Sequence, residues 1–297
     1  MTRLIVRRDF LKESTCAALG TAVGLSPRTE SRNQAGDTTA RVVLIRHPEA
    51  VVAGSNFNAP VIRQMLDEAV AALLGAPDGA AAFGALIKPG EVVGIKTNVW
   101  SYLPTPAEVE EALRERVLGA GVAEDDLAID DHTCRTNPVF KRATALINVR
   151  PIRTHYLAGM SGCIKNYIMF AASQPALHPD SCADLGSTFN LPIVRGKTRL
   201  NILCCLTPQF HGRGPHHFSR RYVWDYRGIL VGRDPVAVDT IGLELIKAKR
   251  REVLGPGQEL PPVPKHIQLA DTRHGIGTSD LNRIELIRLG WEEGILI

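Results

Sequence analysis

Two periodicities of apolar and polar residues alternate along this chain. Short apolar runs at 41–46, 91–96, 127–130, 145–151, 200–206, 227–231 and 284–289 have the length and β-branched content of strands. Between the first two, residues 59–74 place Val61, Met65, Leu66, Ala69, Val70 and Leu73 at helical spacing. Thr105 and Pro106, followed by Ala107-Glu108-Val109-Glu110-Glu111, predict a second helix, ending near Gly119–Gly121. Its start has a capping hydroxyl, a proline in the first turn and carboxylates near the positive helix end. A helix is also expected over 160–172, leaving a glycine-rich turn, and another over 234–247 with Pro235 in its first turn. Strands alternating with helices predict an α/β fold with a mostly parallel central sheet, flanking helices and a single domain.

Composition adds little until it is split along the chain. The 297 residues are 44% hydrophobic and 22% charged, an ordinary globular balance that excludes disordered and collagen-like classes. The net charge is +4, but residues 1–34 hold Arg3, Arg7, Arg8, Lys12, Arg28 and Arg32 against Asp9, Glu13 and Glu30. That segment therefore carries +3, and the remainder is nearly neutral. Arg7-Arg8-Asp9-Phe10-Leu11-Lys12, followed by a modestly apolar stretch at 14–25, resembles the twin-arginine export signal. The resemblance implies a periplasmic or otherwise extracytoplasmic location, the twin-arginine translocase as partner, and export in the folded state. Residues 1–35 are read as signal peptide and linker, and 41–297 as the α/β domain.

Several classes drop out on spacing. No apolar run reaches the roughly 18 residues of a membrane span, so no permanent span is expected. Five cysteines follow the leader with no C-x-x-C pair, which fits neither a disulfide framework nor an iron–sulfur cluster or zinc ribbon. Cys204 and Cys205 sit in an apolar run and read as buried. Gly196-Lys197-Thr198 lacks the upstream glycine of a phosphate loop, and Gly275-Ile276-Gly277 lacks the rest of a dinucleotide fingerprint. Lys247, Lys249, Arg250 and Arg251 read as a solvated tail at a helix end, and no nucleic-acid partner is expected.

Chemistry-bearing residues concentrate in the middle of the chain. Lys96 and Asn98 follow one predicted strand, and Arg153 and His155 follow another. In open α/β sheets ligands bind beyond the carboxyl ends of strands, so these four are expected to share a crevice. A helix starting near Met160 would aim backbone N–H groups at the same space and favour an anion. Lys165, Asn166 and His178 extend the set. A lysine among other cations can act as base or nucleophile, and a histidine can move protons or bind a metal. Asp234 is placed as a helix cap. Asp239, one turn later, is read equally as structural and as orienting a site residue. His211, His216 and His217 sit among arginines that repel cations, which favours an anion-facing loop over a metal site.

The segments Ile95-Lys96-Thr97-Asn98, Arg153-Thr154-His155, Gly162-Cys163-Ile164-Lys165-Asn166 and above all 232–239 resemble the widespread family called domain of unknown function 362. Many relatives carry an appended ferredoxin segment, which has no counterpart here. His155, Gly159, Ser161, Gly162 and Lys165, with His178 downstream, are also similar to a motif of lactate racemase and its relatives. That resemblance implies Lys165 as the lysine holding a nickel-containing cofactor, His178 as a nickel ligand and His155 as acid or base. Cys163 stands where the motif has glycine, so shared site architecture is implied more than a shared cofactor. Two functional classes follow. One is an exported protein binding a small anionic ligand or cofactor and acting as an enzyme through Lys/His proton transfer or metal-cofactor chemistry. The other is a non-catalytic metal- or redox-associated binding or maturation protein.

Overall fold

A computed structural model of the chain describes residues 39–52, 56–212 and 218–297. The leader residues Arg7, Arg8, Phe10, Leu11 and Lys12, and the loop histidines His216 and His217, lie outside them. The elements in chain order are β1 (Ala40–Arg46), β2 (Val51–Val52), β3 (Asn56–Phe57), α1 (Ala59–Leu74), α2 (Gly79–Leu86), β4 (Val93–Lys96), α3 (Ala107–Gly119) and β5 (Leu127–Asp130). They continue with α4 (Pro138–Arg142), β6 (Ala145–His155), β7 (Gly159–Ser161), α5 (Cys163–Asn166), α6 (Pro179–Cys182), β8 (Thr198–Gln209), β9 (Gly228–Gly232), α7 (Pro235–Leu254), α8 (His266–Thr272) and β10 (Ile284–Gly290).

The eight-stranded sheet runs β10-β1-β9-β8-β6-β4-β5, with β7 folded back on the end of β6. All strands on that path point the same way except β9, which lies antiparallel between β1 and β8. The expected mostly parallel sheet with flanking helices is therefore present. Alternation along the strands divides the core between two faces. Val43 and Ile45 of β1 join Ile95, Ile147, Val149 and Ile202 under α1–α3. Val42 and Leu44 join Leu203, Leu230 and the buried faces of α7 and α8 on the other side. Burial of these two apolar faces holds the helices on the sheet. Among the described residues no single helix is long and apolar enough to cross a membrane.

Local chemistry sets the element ends. Asn58 caps α1 by accepting from the Val61 N–H, and Gly75, with φ at 64°, closes it. Asp234 Oδ1 caps α7 by accepting from the Val236 and Ala237 N–H groups at 2.8 and 2.9 Å. The expected hydroxyl cap on α3 is absent. Thr105 Oγ1 instead accepts from the Asn98 N–H at 3.1 Å, and Pro106 opens the helix without a side-chain cap. Thr105 thereby ties down the loop carrying Asn98, Val99 and Trp100.

Three further readings are corrected. Strand β6 does not stop at Pro151 but runs to His155, with a register shift between Pro151 and Arg153. A bulge there tolerates the proline and changes which face the following side chains point to. The region from Met160 is a short hairpin strand, one helical turn and a 3₁₀ turn, not one long helix. The basic tail of α7 is only partly solvated. Arg250 is buried and donates to the carbonyls of Phe210, Gln258 and Glu259.

Gly159 makes the β6–β7 hairpin possible. Its φ is 71°, and a Cβ there would strike the Pro262 carbonyl oxygen. Gly159→Ala is expected to lower stability by about 2 kcal/mol or more. The check is a lowered urea midpoint at unchanged slope, and an unaltered midpoint would count against this packing.

Candidate functional site

The chain leaves β4 for β5 on one side and then returns to β6 on the other, so β4 and β6 flank a switch point. A cleft of about 450 Å³ opens beyond their carboxyl ends. Asn98, Arg153, His155, Lys165, Asn166 and His178 all line it, together with Asp131, Arg150, Trp100 and Ser161. The bulge explains the grouping on β6. It shifts the side-chain alternation, so that Arg150, Arg153 and His155 reach one cleft despite their uneven spacing.

Lys96 and Asp239 stand behind this surface. Lys96 is fully buried and donates to Asp131 Oδ1 at 2.6 Å, the Thr97 carbonyl at 2.7 Å and Asn166 Oδ1 at 3.3 Å. Burial would raise the Asp131 carboxyl, but Lys96 and the Val99 N–H hold it below its ordinary value. Asn166 Nδ2 donates to the Lys96 carbonyl, Asn148 Oδ1 and the Val149 carbonyl. Asn148 in turn donates to Asn201 and to the Cys163 carbonyl. Asp239 accepts from the Cys163 N–H at 2.6 Å and the Ile164 N–H at 2.9 Å. The helix terminus expected to receive a ligand anion is thus filled by the protein's own carboxylate. Burial pushes that carboxyl up to about 7, against the pull of the two N–H donors and Arg150. Gly162 leaves the room, since a Cβ there would collide with Asp239.

The cleft wall is different because its cations are not paired. Arg150 and Arg153 are 2% and 5% exposed, and Lys165 is 5% exposed. Among the described residues no carboxylate lies within salt-bridge distance of any of the three. Arg153 Nη1 donates to Asn98 Oδ1 at 3.0 Å, and its guanidinium lies 4.2 Å from the Trp100 ring centre. Arg150 Nη2, Arg153 Nε and Ser161 Oγ are buried without a hydrogen-bond partner. Lys165 Nζ lies 3.4 Å from His178 Nε2. Burial lowers the Lys165 ammonium to about 8; Cys182 opposes this, and Arg150 and Arg153 add to it. His178 is lowered by its partial burial and by Lys165. His155 Nδ1 accepts from the N–H groups of Leu157 and Ala158, which puts its proton on Nε2. Burial and then the charges of Lys165, Arg153 and Arg150 push its pKa far down, so the ring is neutral.

Three residues of the cleft, Asp131, Arg150 and Trp100, are not among those expected from the sequence, nor is His266 near Lys165. Asp131 follows β5 directly, and a carboxylate just beyond a strand end was the signal for it. Arg150 sits inside an otherwise apolar run, where a buried arginine needs a reason. Trp100 and His266 gave none. His266 is fully buried with both ring nitrogens unpartnered, and burial followed by the Lys165 charge lowers it to about 3. A second cavity of about 550 Å³ lies by Thr154 of β6 and Tyr156 just beyond it, and is lined largely by apolar groups such as Leu260 and Pro262. His211 opens onto it, with Nδ1 lying 3.0 Å from Arg250 Nη1.

The two buried lysines should respond oppositely to removal. Lys96→Met strands Asp131 and is expected to lose about 3 kcal/mol. Lys165→Met removes an unpaired charge and is expected to hold or gain stability at pH 7. The folded value for Lys165 is about 8, against an ordinary 10.5, so between them the unfolded chain binds the extra proton. Wild-type stability therefore rises over that interval, and the Lys165→Met advantage should shrink from pH 7 to pH 10. Denaturant titrations at both pH values decide it, and a constant difference would contradict a buried, depressed Lys165.

A family model described as Domain of unknown function (DUF362) matches residues 124–244. That span runs from the turn before β5 into α7 and contains Asp131, Arg150, Arg153, His155, Lys165, Asn166, His178 and Asp239. No curated protein and no solved structure matches the chain.

Proposed function

We propose that this chain binds a small organic anion in the cleft beyond β4 and β6, with Lys165 and His178 exchanging a proton with it. The observation that carries the reading is the group of unpaired cations. A buried cation without a counter-ion is costly, and Arg150, Arg153 and Lys165 share one wall with none among the described residues. Buried donors on Arg150, Arg153 and Ser161 are also unused. A carboxylate or similar anion supplies both the charge and the acceptors, and guanidinium pairs suit planar anions.

The racemase resemblance implies a nickel-containing group on Lys165, and the contact between Lys165 and His178 suits an anchor beside one imidazole ligand. Among the described residues no three His, Cys, Asp or Glu side chains converge as a metal site. Further donors would therefore have to come with the group itself. Bound there, it would supply electron-accepting chemistry at a substrate carbon, while His155 would hold the proton. Metal analysis of protein purified from its native compartment tests this: stoichiometric nickel supports it, and bare Lys165 with no metal opposes it.

The anion reading has its own test. Titration calorimetry with oxalate should show binding that weakens with salt. Arg153→Gln or Arg150→Gln should each weaken it by about 2 kcal/mol, or roughly thirtyfold in Kd. Binding equal to that of a neutral amide, or unchanged in both variants, would sink the reading.

The leader supports placement outside the cytoplasm as part of the same proposal. Replacing Arg7 and Arg8 by lysines should leave folded protein in the cytoplasm, followed by fractionation. Export that continues at the wild-type level would remove the twin-arginine assignment.

A further inference from the structure

The cleft contains one amine that is not held as a structural cation, and it sits beside a carboxylate-binding surface. Lys96 donates three hydrogen bonds and faces Asp131, so its ammonium is fixed. Among the described residues Lys165 has neither a carboxylate nor a carbonyl acceptor, and its one polar contact is His178 Nε2 at 3.4 Å. An amine without an ionic partner, set in a cleft wall, is placed to act as a nucleophile. Arg150 and Arg153 lie in the same cleft with donors to spare, and neutral His155 presents an Nε2–H. Two guanidinium groups next to a free amine are complementary to a carboxylate next to an electrophilic carbonyl carbon.

We infer that Lys165 forms a Schiff base with a small 2-oxo carboxylate whose carboxylate is gripped by Arg150 and Arg153. This rests on the anion-binding reading and names its ligand class. His178 takes a proton from the Lys165 ammonium, and the freed nitrogen pair attacks the carbonyl carbon. A C–N bond forms while the C=O pair moves to oxygen, which is protonated from the nitrogen through His178. The carbinolamine hydroxyl then leaves as water, taking the proton, and the nitrogen pair closes the C=N bond. Ammonium and ketone thus become iminium and water, with charge conserved and no oxidant or reductant involved. His155 Nε2–H and Ser161 Oγ are the donors available to the oxygen during addition.

The groups facing Lys165 come from several elements: Arg150, Arg153 and His155 on β6, His178 and Cys182 on the segment after α5, and His266 on α8. Every one of these is cationic or neutral, so none holds the ammonium in place.

The test uses the full chain with pyruvate and sodium borohydride, read by intact mass and peptide mapping, with oxalate binding measured in parallel. The expected result is one reduced pyruvyl adduct per chain, located on Lys165 and blocked by oxalate. Lys165→Arg should abolish it, and His178→Asn should slow its formation by roughly 10²-fold. Oxalate binding without an adduct, or adducts scattered over surface lysines, overturns the Schiff base and leaves the anion reading intact. Absence of both binding and adduct overturns the two together. A Lys165 already blocked by another group, seen in the mass before reaction, also overturns it. Because the adduct is mapped on the wild-type chain, the result does not depend on any variant folding.

Discussion

An ammonium cannot be fully buried at the end of a β-strand unless a counter-ion and acceptors surround it, and Lys96 imposes that requirement on this protein. Asp131 meets the charge, and the Thr97 carbonyl and Asn166 take the remaining donors, which commits three separate chain segments to one point. From there amide side chains carry the constraint inward. Asn166 bonds to Asn148 on β6, Asn148 to Asn201 on β8, and Asn201 to the Arg233 carbonyl before α7. A half-satisfied buried polar network is worse than none, so each member fixes the next. The floor of the cleft is rigid for this reason, and its wall inherits defined positions.

Against that floor the wall is built on the opposite principle. Arg150, Arg153 and Lys165 are buried as deeply as many core residues yet have no ionic partner among the described residues. A chain selected for stability alone would pair them or replace them with apolar groups. Their environment is set by the Pro151–Arg153 irregularity, by the hairpin pinned at Gly159 and by the carboxylate of Asp239 seated on α5. Fold and site are therefore coupled through a few backbone features near the end of β6.

Much of this was legible in the sequence, and the illegible parts share a cause. Apolar runs and their spacing gave the sheet, and residues after strand ends gave Lys96, Asn98 and the Lys165 segment. Which of two lysines is locked and which is free was not legible, because it depends on Asp131, 35 positions beyond Lys96. The proline at 151 read as a strand end, since a bulge leaves no residue signature of its own. Helix α2 passed unnoticed because its Ala and Gly residues carry little amphipathic contrast. The helix expected from Met160 failed for a tertiary reason: β7 pairs with β6, and α5 is held by Asp239, 76 positions beyond Cys163.

The five cysteines of the described chain are all buried and unpaired, and their thiols are pushed upward, Cys134 to about 12. A thiol in that state presents almost no thiolate and no accessible sulfur. The folded chain can therefore enter an oxidising compartment without its sulfur chemistry being engaged. The unfolded chain has no such protection, because its six exposed thiols can mispair in many ways. Were such a molecule to meet oxidants, folding would have to be complete first, and a route that carries finished structures would satisfy that order.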